Sequence, residues 1–367
     1  MENAFQTMSH ESAVRAVMEN KQILINYAPG TGKSRISLLI LDEVFKLNPK
    51  AMVMIVCSSA NARDNTWPAQ FREWGYERFL TQVKFVLYTE LNAILFKSYD
   101  MVIADEIHKI TPRAFGFFSG NYIRKAVLLT GTMPDKQLKY DMIMKLSKGI
   151  AINMSMEHAI EHKVVNPFQI TVIEVMPYEQ EYQWYLKSCS TMMSDKVSRD
   201  ISIRQRMHEI YNLQAKADVA KWLVAQLEVL KKRVLVYCAN KAQANQICDY
   251  QYHSGTDESA MVKFLANEIL SMAVVGMLND NANIPDLAYG IMAQVYGESS
   301  NLLQKIGRFQ RVMDKNTISK LYLLKAMRTQ DEVWVYKALK PISENRIRIV
   351  TWERLLQMGY QPKQTTI

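Results

Sequence analysis

Ala28-Pro-Gly-Thr-Gly-Lys-Ser34 lies between an apolar run, Ile23-Leu-Ile25, and a stretch carrying Ile36, Leu38, Leu39 and Ile40. A short strand, a glycine-rich turn and a helix form the setting that a phosphate-binding loop needs. Gly30 and Gly32 let the backbone turn its N–H groups inward, and a helix starting near Lys33 adds the positive end of its dipole. In this reading Pro29, Gly30, Thr31, Gly32, Lys33 and Ser34 cradle a nucleotide. Lys33 reaches the β- and γ-phosphates and the Ser34 hydroxyl ligates Mg²⁺. The full pattern has a glycine where this chain has Tyr27.

Outward from that loop, more apolar runs end in polar clusters. Ala51–Cys57 ends at Ser58-Ser59, Lys84–Tyr88 at Thr89-Glu90, Met101–Ala104 at Asp105-Glu-Ile-His108, and Lys125–Leu129 at Thr130-Gly-Thr132. Apolar runs without alternation, separated by helical stretches, predict a parallel sheet covered on both faces. In such sheets ligands lie at the carboxyl ends of the strands, where all of these clusters fall. After Asn166-Pro167 the pattern repeats: Ile170–Val175, Lys232–Cys238, Ala273–Leu278, Gly290–Tyr296 and Ser319–Leu324 read as strands. The fold class is therefore α/β, two domains each built on a mostly parallel sheet. The expected division is 1–150, then 151–340 with an inserted helical region about 176–230, then a basic tail over 341–367.

The polar clusters suggest chemistry. Asp105 holds the Mg²⁺ begun by Ser34, and Glu106 accepts a proton from the water attacking the γ-phosphate. His108, Thr130 and Thr132 are expected to couple nucleotide state to the rest of the cleft. Gln304-x-x-Gly-Arg308-x-x-Arg311 reads as a helix with both arginines on one face, able to converge on the γ-phosphate if the two domains face each other.

The chain of 367 residues carries a net charge of +9, which favours a polyanionic partner. No apolar run is long enough to span a membrane and the start lacks a signal-peptide pattern. Cys57, Cys189, Cys238 and Cys248 have no metal spacing, so reduced thiols in a cytoplasmic protein are expected.

Taken together and in order, Gly-Thr-Gly-Lys-Ser, Asp-Glu-Ile-His, Thr-Gly-Thr and Gln-x-x-Gly-Arg-x-x-Arg resemble motifs I, II, III and VI of superfamily 2 helicases of the DExH type. Tyr252–Gly255 and Leu278–Asp286 look like motifs IVa and V, with Asn281 in place of a usual glycine. Thr66–Trp74 looks like the motif Ia region of Swi/Snf-type and small phage helicases. The resemblance implies two RecA-like domains, ATP and Mg²⁺ as cofactors, and an ATP hydrolase that moves along or unwinds nucleic acid. DNA is favoured over RNA, by unwinding or by remodelling of branches, with no sequence specificity. Lys33, Asp105, Glu106, Gln304, Arg308 and Arg311 are the implied catalytic set. Ser58, Ser59, Arg63, Thr89, Asn240, Lys241, Asn279 and Asn281 are the implied backbone-gripping positions. The adenine-reading glutamine of the family has no clear match; His10-Glu11 occupies its place and Gln6 lies nearby. Trp67, Trp74, Tyr182, Trp184 and Tyr185 could stack on bases, but core packing is expected for most. The competing reading is a binding or assembly protein that uses ATP as a structural switch.

Overall fold

The computed structural model describes residues 4–19, 22–94, 97–190, 196–276, 284–314 and 316–359, with the backbone alone at 190 and 196–202. The chain divides into two compact units, Met1–Val165 and Asn166–Ile367.

The first unit is built on six strands: β1 (Gln22–Tyr27), β2 (Val53–Cys57), β3 (Val83–Leu87), β4 (Ser98–Ala104), β5 (Tyr122–Thr130) and β6 (Ala151–Met154). Their order across the sheet is β3-β2-β4-β5-β1-β6, and every neighbouring pair is parallel. Alternate residues of one strand supply opposite faces: Ile23 and Ile25 join one core, and Leu24 joins the other. In β4, Met101 and Ile103 face the first core while Val102 and Ala104 face the second. Two apolar faces covered by helices explain why these strands read as unbroken apolar runs.

The second unit carries β7 (Phe168–Val175), β8 (Val234–Tyr237), β9 (Gln251–Tyr252), β10 (Ser271–Val274), β11 (Tyr289–Met292), β12 (Ser319–Ala326) and β13 (Ile347–Thr351). They form one seven-stranded sheet, β13-β7-β12-β11-β8-β10-β9, again parallel at every pair. Both units therefore have the RecA-like α/β plan.

Two expected boundaries shift. Residues 151–165 belong to the first unit, because β6 pairs with β1 over Leu24–Tyr27 and the helix Met156–Glu161 follows it. The stretch after 341 is not a separate tail: β13 pairs with β7 from Ile347 to Thr351, and the helix Trp352–Met358 packs Trp352 edge-on to Trp222. The run Ile347-Arg-Ile-Val-Thr351 has one exposed face, which a charge-rich reading takes for tail. The polar helical region is a set of helices, Glu179–Ser190, Lys196–Tyr211 and Gln214–Val229, the last of which covers the second sheet with Ala217, Ala220, Leu223 and Leu227. All four cysteines are unbridged, and no described helix is long and apolar enough to cross a membrane.

Two features shape the interior of the second unit beyond its main apolar core. Lys216 and Asp331 form a fully buried ion pair at 2.9 Å. Lys216 also donates to Gln294 Oε1 (2.8 Å), Gln294 Nε2 donates to Asp331 Oδ1 (2.9 Å), and the backbone N–H of Ala326 donates to Asp331 Oδ2 (2.9 Å). Every charge is thus hydrogen-bonded, which a buried pair requires to offset its desolvation. Elsewhere, the helix Ser299–Phe309 lies against β11 so closely that a Cβ on Gly290 would fall 2.3 Å from the Phe309 ring.

Removing one partner of the buried pair leaves the other charge without compensation. Lys216→Ala is expected to destabilise the second unit by about 3–5 kcal/mol, read as a lower urea midpoint; a shift within experimental error would mean that the pair carries little of the packing.

Candidate active site

The phosphate-loop sequence takes up the geometry its glycines were expected to permit. β1 ends at Tyr27, Gly30 and Gly32 have φ of 85° and 96°, and the helix Lys33–Leu47 starts directly after Gly32. No side chain caps this helix end, so its first N–H groups face the loop. The loop is braced from within and from behind. Thr31 Oγ1 donates to the Ala28 carbonyl at 2.7 Å, while the Thr31 carbonyl accepts from Gln6 Nε2 (3.2 Å) and from His10 Nε2 (3.0 Å). A carbonyl can only accept, so His10 carries its proton on Nε2 in this contact. Lys33 Nζ donates to the Tyr27 carbonyl at 3.1 Å and lies 3.1 Å from where a Cβ on Gly131 would be, bringing this lysine to the turn after β5. Tyr27 fits its unexpected place because its ring is buried, with its hydroxyl 2.8 Å from Ser9 Oγ.

Asp105 and Glu106 follow β4. Asp105 is 9% exposed, its Oδ2 accepts from Trp67 Nε1 at 3.2 Å, and its carbonyl accepts from the Tyr88 hydroxyl at 2.9 Å. Glu106 has a left-handed backbone, φ 50°, which costs a non-glycine residue about 1–3 kcal/mol and is a feature often found at functional sites. His108 Nδ1 lies 3.2 Å from Glu106 Oε2 and 3.2 Å from Thr130 Oγ1. Thr130 Oγ1 in turn donates to the Thr132 carbonyl at 2.5 Å, and Lys139 Nζ caps the His108 carbonyl at 3.1 Å. The three residues expected to act in coupling thus form one hydrogen-bonded path from His108 through Thr130 to Thr132, with Glu106 Oε2 in ion-pair contact at its start. Thr132 Oγ1 is buried with no hydrogen-bond partner among the described residues.

The electrostatics of the pair are uneven. Burial and then the Glu106 charge push the Asp105 carboxyl up to about 7, with Lys33 and the Trp67 hydrogen bond opposing. Burial also acts to raise Glu106, but the His108 hydrogen bond and the charges of Lys33, His108 and Lys109 together outweigh it and hold Glu106 below the ordinary carboxylate range. One carboxylate is therefore kept ionised and the other lacks a full counter-charge. Hard oxygen donors with excess negative charge suit a divalent cation such as Mg²⁺, with Ser34 and Asp105 as its candidate holders.

The expected strand-gripping positions differ among themselves. Ser59 Oγ accepts from the Ala62 N–H at 3.2 Å, bracing a π-helical turn, Ala62–Thr66. Arg63 is held by Asp64 (2.7 Å) and Glu90 (2.9 Å), so its charge is largely offset by neighbouring acids rather than presented openly. Thr89 is exposed and Ser58 half-buried. In the second unit Asn240 Oδ1 caps the helix Lys241–Ile247 through Gln243 N at 2.8 Å, and Lys241 Nζ lies 2.8 Å from where a Cβ on Gly255 would be. Asn279 and Asn281 lie outside the described residues.

One expectation about the second unit is corrected. Gln304 and Arg308 sit on the helix Ser299–Phe309, but this helix ends before Arg311, so the two arginines do not share one helical face. The cause is Gln310: its Nε2 donates to the Asn166 carbonyl at 2.7 Å and its own carbonyl accepts the Asn166 N–H at 3.1 Å, turning the chain aside. Arg308 is buried and Arg311 exposed. Of the aromatics, Trp67 and Tyr185 are buried, while Trp74 and Trp184 are exposed, with the Arg35 guanidinium 4.4 Å from the centre of the Trp74 ring.

Three residues make contacts other than those expected of them: His10 and Gln6, placed at or near the adenine-reading position, brace the phosphate loop, and Trp67, expected to pack or stack, meets Asp105. Gln6 and His10 are four apart on the helix Ala4–Glu19, a spacing that puts them on one face, and this was the available signal. Trp67 as a partner of Asp105 left no local signal, because the two are brought together only by the packing of the helix Trp67–Glu73 on the sheet.

No family model matches this chain, and no curated protein does. Among solved structures, the chain is similar to the ATP-dependent Type ISP restriction-modification enzyme LlaBIII bound to DNA, with a TM-score of 0.63 and 14% identity. That match covers 96% of this chain and 31% of the enzyme, so this chain spans under a third of its length. It is also similar to the Pyrococcus furiosus Hef helicase domain, with a TM-score of 0.56 and 11% identity, covering 92% of this chain and 98% of that one. At such identities the likeness establishes the fold, a helicase-like pair of RecA-like units.

Because Asp105 is raised in the folded protein, the fold holds a proton that the unfolded chain releases. Its contribution is fully present below the ordinary aspartate range and is lost as pH rises through the raised value. With a chelator present, Asp105→Asn should therefore be more stable than the parent by on the order of 1–3 kcal/mol near pH 8, and by little near pH 5. Thermal melts at the two pH values check this; an equal difference at both would refute the assigned burial penalty.

Proposed function

We propose that the chain is an ATP-dependent nucleic-acid translocase of superfamily 2 helicase type, acting on DNA by unwinding or by remodelling branches. The observation that carries this reading is the convergence of Lys33, Asp105, Glu106, His108 and Thr130 at the carboxyl ends of β1, β4 and β5. A phosphate loop alone would fit many nucleotide-binding proteins. A second carboxylate next to the cation-holding one, 3.2 Å from a histidine that also contacts Thr130, supplies the proton acceptor that hydrolysis uses.

In this reading the uncapped helix end and Lys33 bind the β- and γ-phosphates. Ser34 and Asp105 would hold Mg²⁺, which neutralises phosphate charge when bound. Glu106, kept ionised, takes the proton from the attacking water onto its carboxylate. His108 orients Glu106 and links it to Thr130 and Thr132. Gln304, Arg308 and Arg311 are the remaining members of the catalytic set in this reading, guanidinium groups being suited to stabilising charge on a transferring phosphoryl group. Ser58, Ser59, Thr89, Asn240, Lys241, Asn279 and Asn281 would hold the sugar-phosphate backbone, an arrangement that reads no sequence. A charge of +9 fits a polyanionic partner.

The test is ATP turnover alone and with single-stranded, duplex and forked DNA, with RNA as a comparison. Stimulation by one or more DNA forms is expected; nucleotide binding without stimulated turnover would instead favour the structural-switch reading. Glu106→Gln should lower turnover by about 10²–10⁴-fold while nucleotide binding persists. Unchanged turnover would remove Glu106 from its role.

A further inference from the structure

Trp67 does more than fill the core. It is 1% exposed, and its indole N–H ends on Asp105 Oδ2 at 3.2 Å. A tryptophan buried only for its apolar area needs some acceptor for that N–H, but a backbone carbonyl would serve. Here the acceptor is the carboxylate assigned to the cation. The Tyr88 hydroxyl fixes the same residue by its carbonyl, at 2.9 Å, so side chain and backbone of Asp105 are each held by one buried aromatic donor.

The way Trp67 is attached adds a second observation. It opens the helix Trp67–Glu73, which continues directly from the π-helical turn Ala62–Thr66, and its own backbone N–H closes that turn on the Ala62 carbonyl. The turn begins at the end of β2, where Ser59 accepts from Ala62 N through Oγ (3.2 Å) and from Arg63 N through its carbonyl (3.1 Å). A π-turn carries one residue more than an α-turn. Rewinding it to α would turn everything after it by about 100° and shift it by about 1.5 Å. The indole could not stay on Asp105 through such a change. Ser58, Ser59 and Arg63 are the positions assigned to backbone gripping, so this register is set where a nucleic-acid strand would rest.

We propose that Trp67 is a positioning residue that joins the two sites: its N–H fixes the Asp105 carboxylate for Mg²⁺, and the 62–66 turn passes strand binding at Ser58–Arg63 to that contact. The inference rests on the reading of the site as a nucleotide hydrolase. It assigns to Trp67 the outer contact that orients a metal-holding carboxylate, a kind of contact whose loss costs 10–100-fold in metal affinity.

Calorimetric binding of ADP across a Mg²⁺ titration tests the first half. Trp67→Phe should raise the half-saturating Mg²⁺ concentration by about 10-fold and leave ADP binding in chelator unchanged. A merely structural role would weaken ADP binding in chelator as well, and an unshifted Mg²⁺ dependence would overturn the proposal. The second half is read on the wild-type chain, which keeps the test open if the variant does not fold. Among the six indole N–H signals of ¹⁵N-tryptophan-labelled protein, that of Trp67 is identified by replacing the other five in turn. Added single-stranded or duplex DNA should shift it. If DNA binds by an independent measurement and the signal stays in place, the link is refuted. If wild-type protein shows no Mg²⁺-dependent ADP binding at all, the hydrolase reading itself fails, a result distinct from either of these.

Discussion

Two carboxylates in succession at the end of a fully buried strand repel each other and have lost most of their water. The first unit is arranged around that constraint. The left-handed backbone at Glu106 sends the second carboxylate away from the first, toward His108 and Thr130. Asp105 stays behind under Trp67 and Tyr88, with Lys33 the main positive charge acting on it. Each of these partners comes from a different strand end, so the pair can be tolerated only when β1, β2, β3 and β5 are in register with β4. Electrostatics here acts as a check on the fold, because a misaligned sheet would leave both charges uncompensated.

Much of this was legible in the residue order. Strands buried on both faces must be apolar at every position, and that makes Met101–Ala104 or Val234–Tyr237 hard to read as anything else. The polar residues that stop them are then marked as strand ends, and these ends hold the chemistry. What could not be read is what depends on distance in space. Trp67 and Asp105 are 38 residues apart, and the indole carries no sign that its N–H is aimed at a carboxylate. The break in the helix before Arg311 comes from Gln310 reaching back to Asn166, a contact across 144 residues. β13 was hidden for a different reason: it is a short edge strand, Ile347-Arg-Ile-Val-Thr351, in which Val350 alone is buried, so it lacks the apolar run that marks the others.

The second unit solves its own problem with a different device. Lys216, Gln294 and Asp331 tie the helix Gln214–Val229, the segment after β11 and the helix Asp331–Leu339 into one buried polar knot, with Ala326 at the end of β12 as its fourth member. Such a knot adds less net stability than apolar packing, but it accepts only one arrangement of its members. It sits at the carboxyl ends of β11 and β12, the same edge of the sheet from which the helix Ser299–Phe309 departs.

That helix has almost no clearance from the strand beneath it, since only the missing side chain of Gly290 makes room for Phe309. The ring of Phe309, at the end of that helix, lies directly over the Gly290 backbone and leaves no room for a side chain there. Arg308, the residue before Phe309, is therefore tied to the sheet of its own unit, and bulk introduced at Gly290 would displace the guanidinium along with the ring.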